Sequence, residues 1–112
     1  MLNQPGVTAL STNDGFILMR MAADEAEVLT IAVDPNKRGA GLGYRLVEAG
    51  LVLVLAQKAA RCFLEVAEDN APAFAVYTKA GFTRCGERKD YYKRGEKTVR
   101  ALLMEWRRPA AL

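Results

Sequence analysis

The chain of 112 residues contains no histidine. This absence excludes Ser-His-Asp triads and histidine-based zinc motifs, so acid–base chemistry must use carboxylates, tyrosines or lysines, and no metal site is predicted. Cysteine is scarce, with Cys62 and Cys85 alone. The opening residues lack the pattern of a secretory signal, so we predict two buried free thiols rather than a disulfide. The longest apolar stretch, Ala49 to Ala56, is far shorter than the roughly 20 residues that span a bilayer, which predicts a cytoplasmic protein that does not bind membranes.

Positive charge is scarce in the first third of the chain, where Arg20 is the only basic residue before Lys37. The net charge of +3 comes from the C-terminal end. That basic segment also contains Tyr91, Tyr92 and Trp106, a combination that suggests a nucleic-acid-binding hairpin. The affinity of such a hairpin for nucleic acid would fall steeply with salt. The acidic residues interspersed there favour a solvated hairpin face instead, and nucleic acid is not the partner we predict.

The hydrophobic pattern predicts one α/β domain covering residues 1–112, with the element order ββ-β-α-β-α-ββ. Asp14-Gly15 between two apolar runs predicts the first hairpin, and residues 22–27 are predicted to form a turn. The third strand is nearly continuously apolar, which predicts that it is largely buried and forms a parallel crossover with the fourth strand. The predicted strands are Val7–Ser11, Phe16–Met21, Val28–Val33, Arg61–Val66, Phe82–Tyr92 and Thr98–Trp106, and the helices run from Leu42 to about Ala60 and from the cap Asn70 to the stop Gly81.

A glycine-rich turn joins the third strand to the first helix, with the sequence Arg38-Gly39-Ala40-Gly41-Leu42-Gly43. Glycines at alternating positions leave backbone N–H groups unobstructed at the start of a helix, which is an arrangement that binds phosphate. The spacing lacks the Gly-Lys-Ser/Thr of a Walker A loop, and the chain is too short for a dinucleotide fold. A tight turn without a ligand remains the alternative.

Two further blocks accompany this turn, Phe63-Leu64-Glu65-Val66 and the pattern Asn-x-x-Ala-x-x-x-Tyr-x-x-x-Gly-Phe over Asn70–Phe82. With Arg38-x-x-Gly41-x-Gly43, they make the chain from Val7 onward resemble the GNAT (GCN5-related) N-acetyltransferase superfamily. Within it the chain is most similar to the ribosomal-protein alanine N-acetyltransferase type. The resemblance implies a mixed, mostly antiparallel twisted sheet with a central parallel β-α-β crossover.

The resemblance also implies the site and the cosubstrate, acetyl-CoA. Glu65 would be the general base, and Tyr77 the general acid that protonates the departing thiolate. Asn70 would hold the pantetheine side. The backbone of Ile31, Ala32 and Val33 would meet the acetyl-pantetheine arm, and the pyrophosphate would lie on Arg38, Gly39, Ala40, Gly41, Leu42, Gly43 and Tyr44.

Each candidate also has a structural interpretation. Glu65 could be an outward-facing strand residue. Tyr77 could be a core aromatic on the apolar stripe of its helix, Asn70 could serve only as a helix cap, and Arg38 could be a surface charge. Tyr91 and Tyr92 could line the acceptor cleft or pack on the sheet.

These features predict an acetyl-CoA-dependent N-acetyltransferase that acts by direct transfer in a ternary complex, because neither cysteine is placed as a nucleophile. The favoured acceptor is the N-terminal α-amino group of a protein such as a ribosomal protein. The alternatives are a small-molecule amine, a lysine, or a CoA-binding module without catalysis.

The sequence departs from the family pattern in its N-terminal part, where two helices are missing and residues 1–6 resemble the last turn of the second. A shortened or proteolysed chain, a start codon assigned too late, or a natural short form that borrows a wall from another subunit of a homodimer would each explain this. Ala67 and Arg100 also stand where the subfamily has an arginine and an acidic residue, which weakens the prediction of a peptide substrate.

Overall fold

A computed structural model describes residues 6–110, apart from the side chains at 90 and 91. Within this range six strands form one sheet in the order β1-β2-β3-β4-β6-β5. Residues 1–6 are predicted to resemble the last turn of a helix, and all of them except Gly6 lie outside the described residues. The strands are β1 (Val7–Thr12), β2 (Gly15–Ala22), β3 (Glu25–Val33), β4 (Arg61–Ala67), β5 (Thr83–Arg94) and β6 (Lys97–Arg107), and the helices are α1 (Leu42–Ala56) and α2 (Ala71–Lys79), with one 3-10 turn at Pro35–Lys37.

The predicted element order and the mixed sheet are confirmed. β3 and β4 are parallel, and the other neighbouring pairs are antiparallel. The turn predicted at residues 22–27 is present but confined to residues 23 and 24, because β2 continues to Ala22 and β3 begins at Glu25. Polar residues can form these strand ends because the ladder between β2 and β3 satisfies their backbone groups, and an Arg61–Glu25 ion pair of 2.8 Å joins β3 to β4.

Two other predicted boundaries also move. Asp14-Gly15 is not the turn pair, because Gly15 already belongs to β2 and pairs with Thr12 of β1. The first helix ends at Ala56 rather than near residue 60, since Lys58 adopts a positive φ of 61° that no α-helix accommodates. The chain can then turn so that Ala59, which is buried, joins the core.

The core lies between the sheet and the two helices. Gly50 brings α1 close to the sheet, because a Cβ atom there would lie 2.6 Å from the Met19 sulfur. The aromatic ring of Tyr77 in α2 meets Phe82 edge-on, with centroids 6.0 Å apart. The core consists of buried residues from β2, β3, β4, β6, both helices and two connecting segments: Ile17, Met19, Ala26, Val28, Leu46, Val47, Val54, Ala59, Cys62, Leu64, Val66, Tyr77, Phe82, Leu102, Met104 and Trp106.

The sheet splits between its two parallel strands. β3 pairs with β4 only from Glu25 to Glu27, opposite Arg61 to Phe63. Directly afterwards the register of β3 on β2 shifts, because Met19 pairs with Val28 and Leu18 with Thr30, which leaves Leu29 as an extra residue. A bulge bends the strand that carries it. β3 therefore leaves β4 at this point, and a gap opens in the sheet.

Candidate active site

The gap between β3 and β4 is the mouth of a cleft of about 820 Å³. Residues 28–33 and 64–67 line it from the two sides, and the glycine turn, α2 and the end of β5 complete its walls. The prediction that Val28–Val33 is largely buried is therefore wrong beyond Val28: Thr30 and Ala32 are exposed. Among residues 6–110 no strand pairs with this edge of β3 after Glu27, so its backbone groups can serve a ligand.

The glycine turn adopts the backbone that its glycines permit. Gly39 and Gly41 both have φ of +84°, in the left-handed region that other residues rarely enter. A Cβ atom at Gly39, Gly41 or Gly43 would meet no protein atom within 4 Å. The glycines thus leave open space above the turn, as a cradle for a bulky anion requires.

α1 begins at this turn without a side-chain cap. Gly41 is its N-cap residue, and neither a capping side chain nor an acidic residue is present in the first turn. The first N–H groups of α1 and the positive end of its dipole remain available to an anion. The preceding 3-10 turn differs, since the Asp34 Oδ1 atom accepts a hydrogen bond of 2.9 Å from the Asn36 N–H.

The predicted cofactor-binding residues converge on this cleft, with Ala40 as the exception. Ile31, Ala32, Val33, Arg38, Gly39, Gly41, Leu42, Gly43, Tyr44 and Asn70 all line it. Lys37 lines it too, and was missed because it precedes the glycine motif. The turn therefore presents two adjacent cations, Lys37 and Arg38, to a ligand.

Tyr44 lies where the start of α1 meets the end of α2. The nearby Glu48 carboxylate raises the pKa of Tyr44. The Lys79 Nζ atom of α2 lies 4.3 Å from the centre of its ring. This cation–π contact connects α2 to the start of α1, next to the glycine turn.

Glu65 and Tyr77 line the same cleft from different sides of the sheet. Leu64 and Val66 are buried in the core beside the helices, so the alternation of strand side chains places Glu65 on the opposite face. Tyr77 projects from α2 on the helix side and is only 6% exposed. The gap in the sheet allows the two side chains to share one cavity.

Burial shapes the chemistry of Tyr77. Desolvation raises the pKa of the phenol, and the nearby Tyr92 raises it further. Tyr77 therefore keeps its proton at neutral pH. Tyr92 itself lines the cleft, whereas the side chain of Tyr91 lies outside the described residues.

An arginine that the sequence motifs do not include contacts Glu65. The Arg88 Nη1 atom of β5 donates to both carboxylate oxygens, at 3.1 Å to Oε1 and 3.3 Å to Oε2. No local pattern could reveal this contact, because the two residues are 23 positions apart and on different strands.

The turn between β4 and α2 is tied to the β5–β6 hairpin. The Asn70 Oδ1 atom accepts a hydrogen bond of 3.2 Å from the Ala73 N–H, so Asn70 caps α2 as the structural interpretation predicts. Asp69 binds Arg94 through both oxygens, at 3.2 and 3.3 Å, and the Arg94 guanidinium lies 5.4 Å from the Tyr92 ring centre. Arg94 and Tyr92 form the hairpin's side of the cleft.

The two cysteines have different environments. Cys62 is buried in β4, and burial raises the pKa of its thiol to about 12. Cys85 is exposed, so the prediction of two buried thiols is wrong for it; the shift in register near Arg84 and Gly86 places it at an irregular point of the edge strand. Both thiols are free, as predicted, and neither lines the cleft.

Three residues of the basic C-terminal hairpin make contacts within the fold. Trp106 is buried in the core and cannot stack on a base. Arg84 and Arg100 both bind Glu87, at 2.7 and 3.3 Å. These contacts fit the solvated hairpin face, and the absence of a nucleic-acid partner stays a prediction.

The sequence profile of the Acetyltransferase (GNAT) family matches residues 6–82, which is more than half of the chain. The chain belongs to the GNAT acetyltransferase family. The matched residues include the glycine turn, Glu65 and Tyr77 and end at Phe82.

Three GNAT relatives illustrate the similarity. The ribosomal protein bS18-alanine N-acetyltransferase of Escherichia coli (strain K12) is 34% identical over 89 residues, which are 80% of this chain and 60% of that protein. The crystal structure of the E. coli ribosomal-protein-S18-alanine N-acetyltransferase superposes with a TM-score of 0.88 at 29% identity, and the match covers 97% of this chain and 74% of that one. The mycothiol acetyltransferase of Clavibacter michiganensis subsp. michiganensis is 41% identical over 68 residues, 61% of this chain but 22% of that protein.

A further similar structure was solved with a ligand. It is a putative streptothricin acetyltransferase from Bacillus anthracis str. Ames in complex with acetyl coenzyme A, with a TM-score of 0.79 and 25% identity over 96% of this chain and 65% of that one. The chain thus spans only part of each relative.

Two further properties concern the described residues alone. None of their helices has the length and apolar character needed to cross a bilayer. Their Cys, Asp and Glu side chains form no group of three or more that could hold a metal ion.

Proposed function

We propose that this chain is an acetyl-CoA-dependent N-acetyltransferase that transfers an acetyl group to a primary amine. The observation that carries the proposal is the cleft at the split between β3 and β4, which brings the glycine turn, Glu65 and Tyr77 to one cavity. Residues 1–112 are taken as one domain of this type.

The residues of the cleft suit acetyl-CoA. The open space above Gly39, Gly41 and Gly43, the uncapped start of α1 and the cations Lys37 and Arg38 would hold the pyrophosphate. The uncovered edge of Ile31–Val33 would hydrogen-bond the pantetheine amides, and the Asn70 side chain would hold the same arm. Bound there, acetyl-CoA supplies an activated acyl group and a thiol leaving group.

Glu65 would act on the acceptor. An α-amino group has a pKa near 8, so most of it is protonated at neutral pH and must lose a proton before it attacks. The Glu65 carboxylate would take that proton, directly or through one water. Glu65 would pass this proton to solvent, and the neutral amine would attack the thioester carbonyl carbon. The nitrogen would lose its second proton to Glu65, directly or through the water, as the C–S bond breaks and the amide forms.

Tyr77 would act on the leaving group. Its phenol is protonated at neutral pH because burial raises its pKa, so Tyr77 holds a proton that it can donate to the sulfur. A thiol, with a pKa near 8.5, is the stronger acid, so this donation would accompany the breaking of the C–S bond rather than follow it as a separate step. The proton that Tyr77 gives to the sulfur is recovered from solvent after product release. Direct transfer needs no covalent enzyme intermediate, and neither cysteine lines the cleft.

A protein N-terminal α-amino group is the acceptor that we favour, because the E. coli relative is named for such a reaction. A ribosomal protein would then be a partner, in the cytoplasm. The alternatives are a small-molecule amine, for which the names of the other relatives are precedents, and a lysine side chain.

Thiol release measured with acetyl-CoA and peptides tests this function. We expect turnover with a free N-terminal alanine peptide and much less with the same peptide carrying an acetylated N-terminus. Glu65→Gln and Tyr77→Phe should each lower kcat on the order of 10²-fold while CoA binding measured by calorimetry is unchanged. The matched control is Glu68→Gln, an exposed carboxylate three residues from Glu65 that does not line the cleft.

Two outcomes would contradict the proposal. CoA binding without turnover of any amine would identify a binding module rather than an enzyme. Full turnover by both Glu65→Gln and Tyr77→Phe would leave the enzyme but refute the roles assigned to these two residues.

A further inference from the structure

Arg88 reaches the proposed base across an intervening strand. Arg88 in β5 pairs with Ala101 in β6, and Ala101 pairs with Ala67 in β4, so these three residues lie side by side across the sheet. Glu65 is two residues before Ala67 in β4 and therefore lies on the same face of the sheet as Arg88. Two strand spacings of about 4.8 Å separate β5 from β4, so both side chains must extend towards each other. The alanine at position 101 leaves the path over β6 open.

The Arg88–Glu65 contact is poorly explained as a stabilising ion pair. The Arg88 side chain is 51% exposed, and an exposed ion pair contributes little to folding because water screens both charges. Glu65, by contrast, is 28% exposed and lines the cleft. The arginine thus acts on a group of the cleft at little benefit to stability.

We propose that Arg88 is a positioning residue that holds the Glu65 carboxylate in the orientation in which it takes the acceptor's proton. This inference rests on the proposed function. A single guanidinium nitrogen contacts both oxygens, which restricts rotation of the carboxylate. A carboxylate has about four lone-pair positions, so two contacts leave others directed at an acceptor or a bridging water. Arg88 itself neither gives nor takes a proton.

Arg88→Ala is the direct test, with Arg84→Ala as the matched control. Both arginines are on β5 and both bind a carboxylate, but Arg84 binds Glu87, which does not line the cleft. We expect Arg88→Ala to lower kcat on the order of tenfold, because a misaligned base loses much of its effect, and to leave KM for acetyl-CoA unchanged. Arg84→Ala should behave as the wild type.

A double-mutant cycle shows whether Arg88 acts through Glu65. In a Glu65→Gln background, removal of Arg88 should change kcat less than twofold, because no base remains to be positioned. Added guanidinium ion should restore part of the activity of Arg88→Ala and none of the activity of Glu65→Gln. Equal losses in both backgrounds, or wild-type kcat in Arg88→Ala, would overturn the positioning role.

The two proposals fail differently. An inactive wild type refutes the proposed function, and the positioning role with it. An active wild type whose Glu65→Gln variant is impaired but whose Arg88→Ala and Arg84→Ala variants are alike supports the function and refutes the inference about Arg88.

Discussion

Gly43→Ala separates the structural from the functional interpretation of the glycine turn. Gly43 is in the first turn of α1 without a positive φ, and a Cβ atom there would meet no protein atom within 4 Å. Nothing in the fold therefore requires glycine at this position. If glycine is needed, it is needed for a ligand.

The size of each effect follows from this geometry. Alanine is favoured over glycine by about 1 kcal/mol in a helix interior, and we take about half of that in the first turn. The free energy of unfolding should rise by about 0.5 kcal/mol, which raises Tm by about 2–4 °C. The same methyl group would occupy the space above the turn and weaken the phosphate contacts there, and the loss of one charge-assisted hydrogen bond costs about 1.5–3 kcal/mol, or roughly tenfold to a hundredfold in Kd.

Two matched variants control the experiment. Gly41→Ala should lose both stability and affinity, because a φ of +84° costs a residue with a side chain about 1–2 kcal/mol. Gly95 also has a positive φ, of +66°, but it lies in the β5–β6 hairpin turn and does not line the cleft, so the second control is Gly95→Ala. It should lose stability and keep its affinity for CoA.

Thermal unfolding and calorimetric titration with CoA measure the two quantities on the same samples. A Gly43→Ala variant that binds CoA as tightly as the wild type would refute a phosphate site above this turn. A variant that loses more than about 1 kcal/mol of stability would refute the description of the site as open space.

Three further predictions concern other residues of the cleft and core. Burial and the nearby Tyr92 raise the pKa of Tyr77 above its ordinary value of 10.0, so ionisation of Tyr77 should not lower kcat below about pH 10. A decline of kcat near pH 8 that disappears in Tyr77→Phe would contradict this prediction. Asn70→Ala should lower the free energy of unfolding by about 1 kcal/mol through loss of the α2 cap, whereas Asn70→Asp should preserve the cap and raise only KM for acetyl-CoA, as urea unfolding and kinetics can establish. Cys62 ionises near its ordinary pKa of 9.0 in the unfolded chain but near 12 in the folded one, so its contribution is intact below pH 9 and is lost at about 1.4 kcal/mol per pH unit from pH 9 towards 12. Urea unfolding at pH 8 and pH 10 should show a smaller loss for Cys62→Ala than for the wild type, and equal losses would refute the linkage.

Local patterns were sufficient for the order of the elements, and the family resemblance that those patterns carry pointed to most residues of the cleft. Glycines at alternating positions, an Asn-Ala-Pro helix start and a carboxylate inside an apolar strand are each visible over a few residues. The element bounds were less predictable, because strand ends such as Glu25–Glu27 are polar and depend on their partners. The ladder that stabilises them joins residues 36 positions apart.

The sequence by itself determined which chemical groups are present: a glycine turn before a helix, an acid, a phenol, and no histidine. Tertiary structure alone decided how they meet. β3 and β4 separate after three paired residues, so Glu65 and Tyr77 reach one cavity from opposite faces of the sheet. Arg88 reaches Glu65 across β6, over a small alanine. Such contacts depend on strand order and register, which arise from non-local pairing and packing and leave no periodic signal in the sequence.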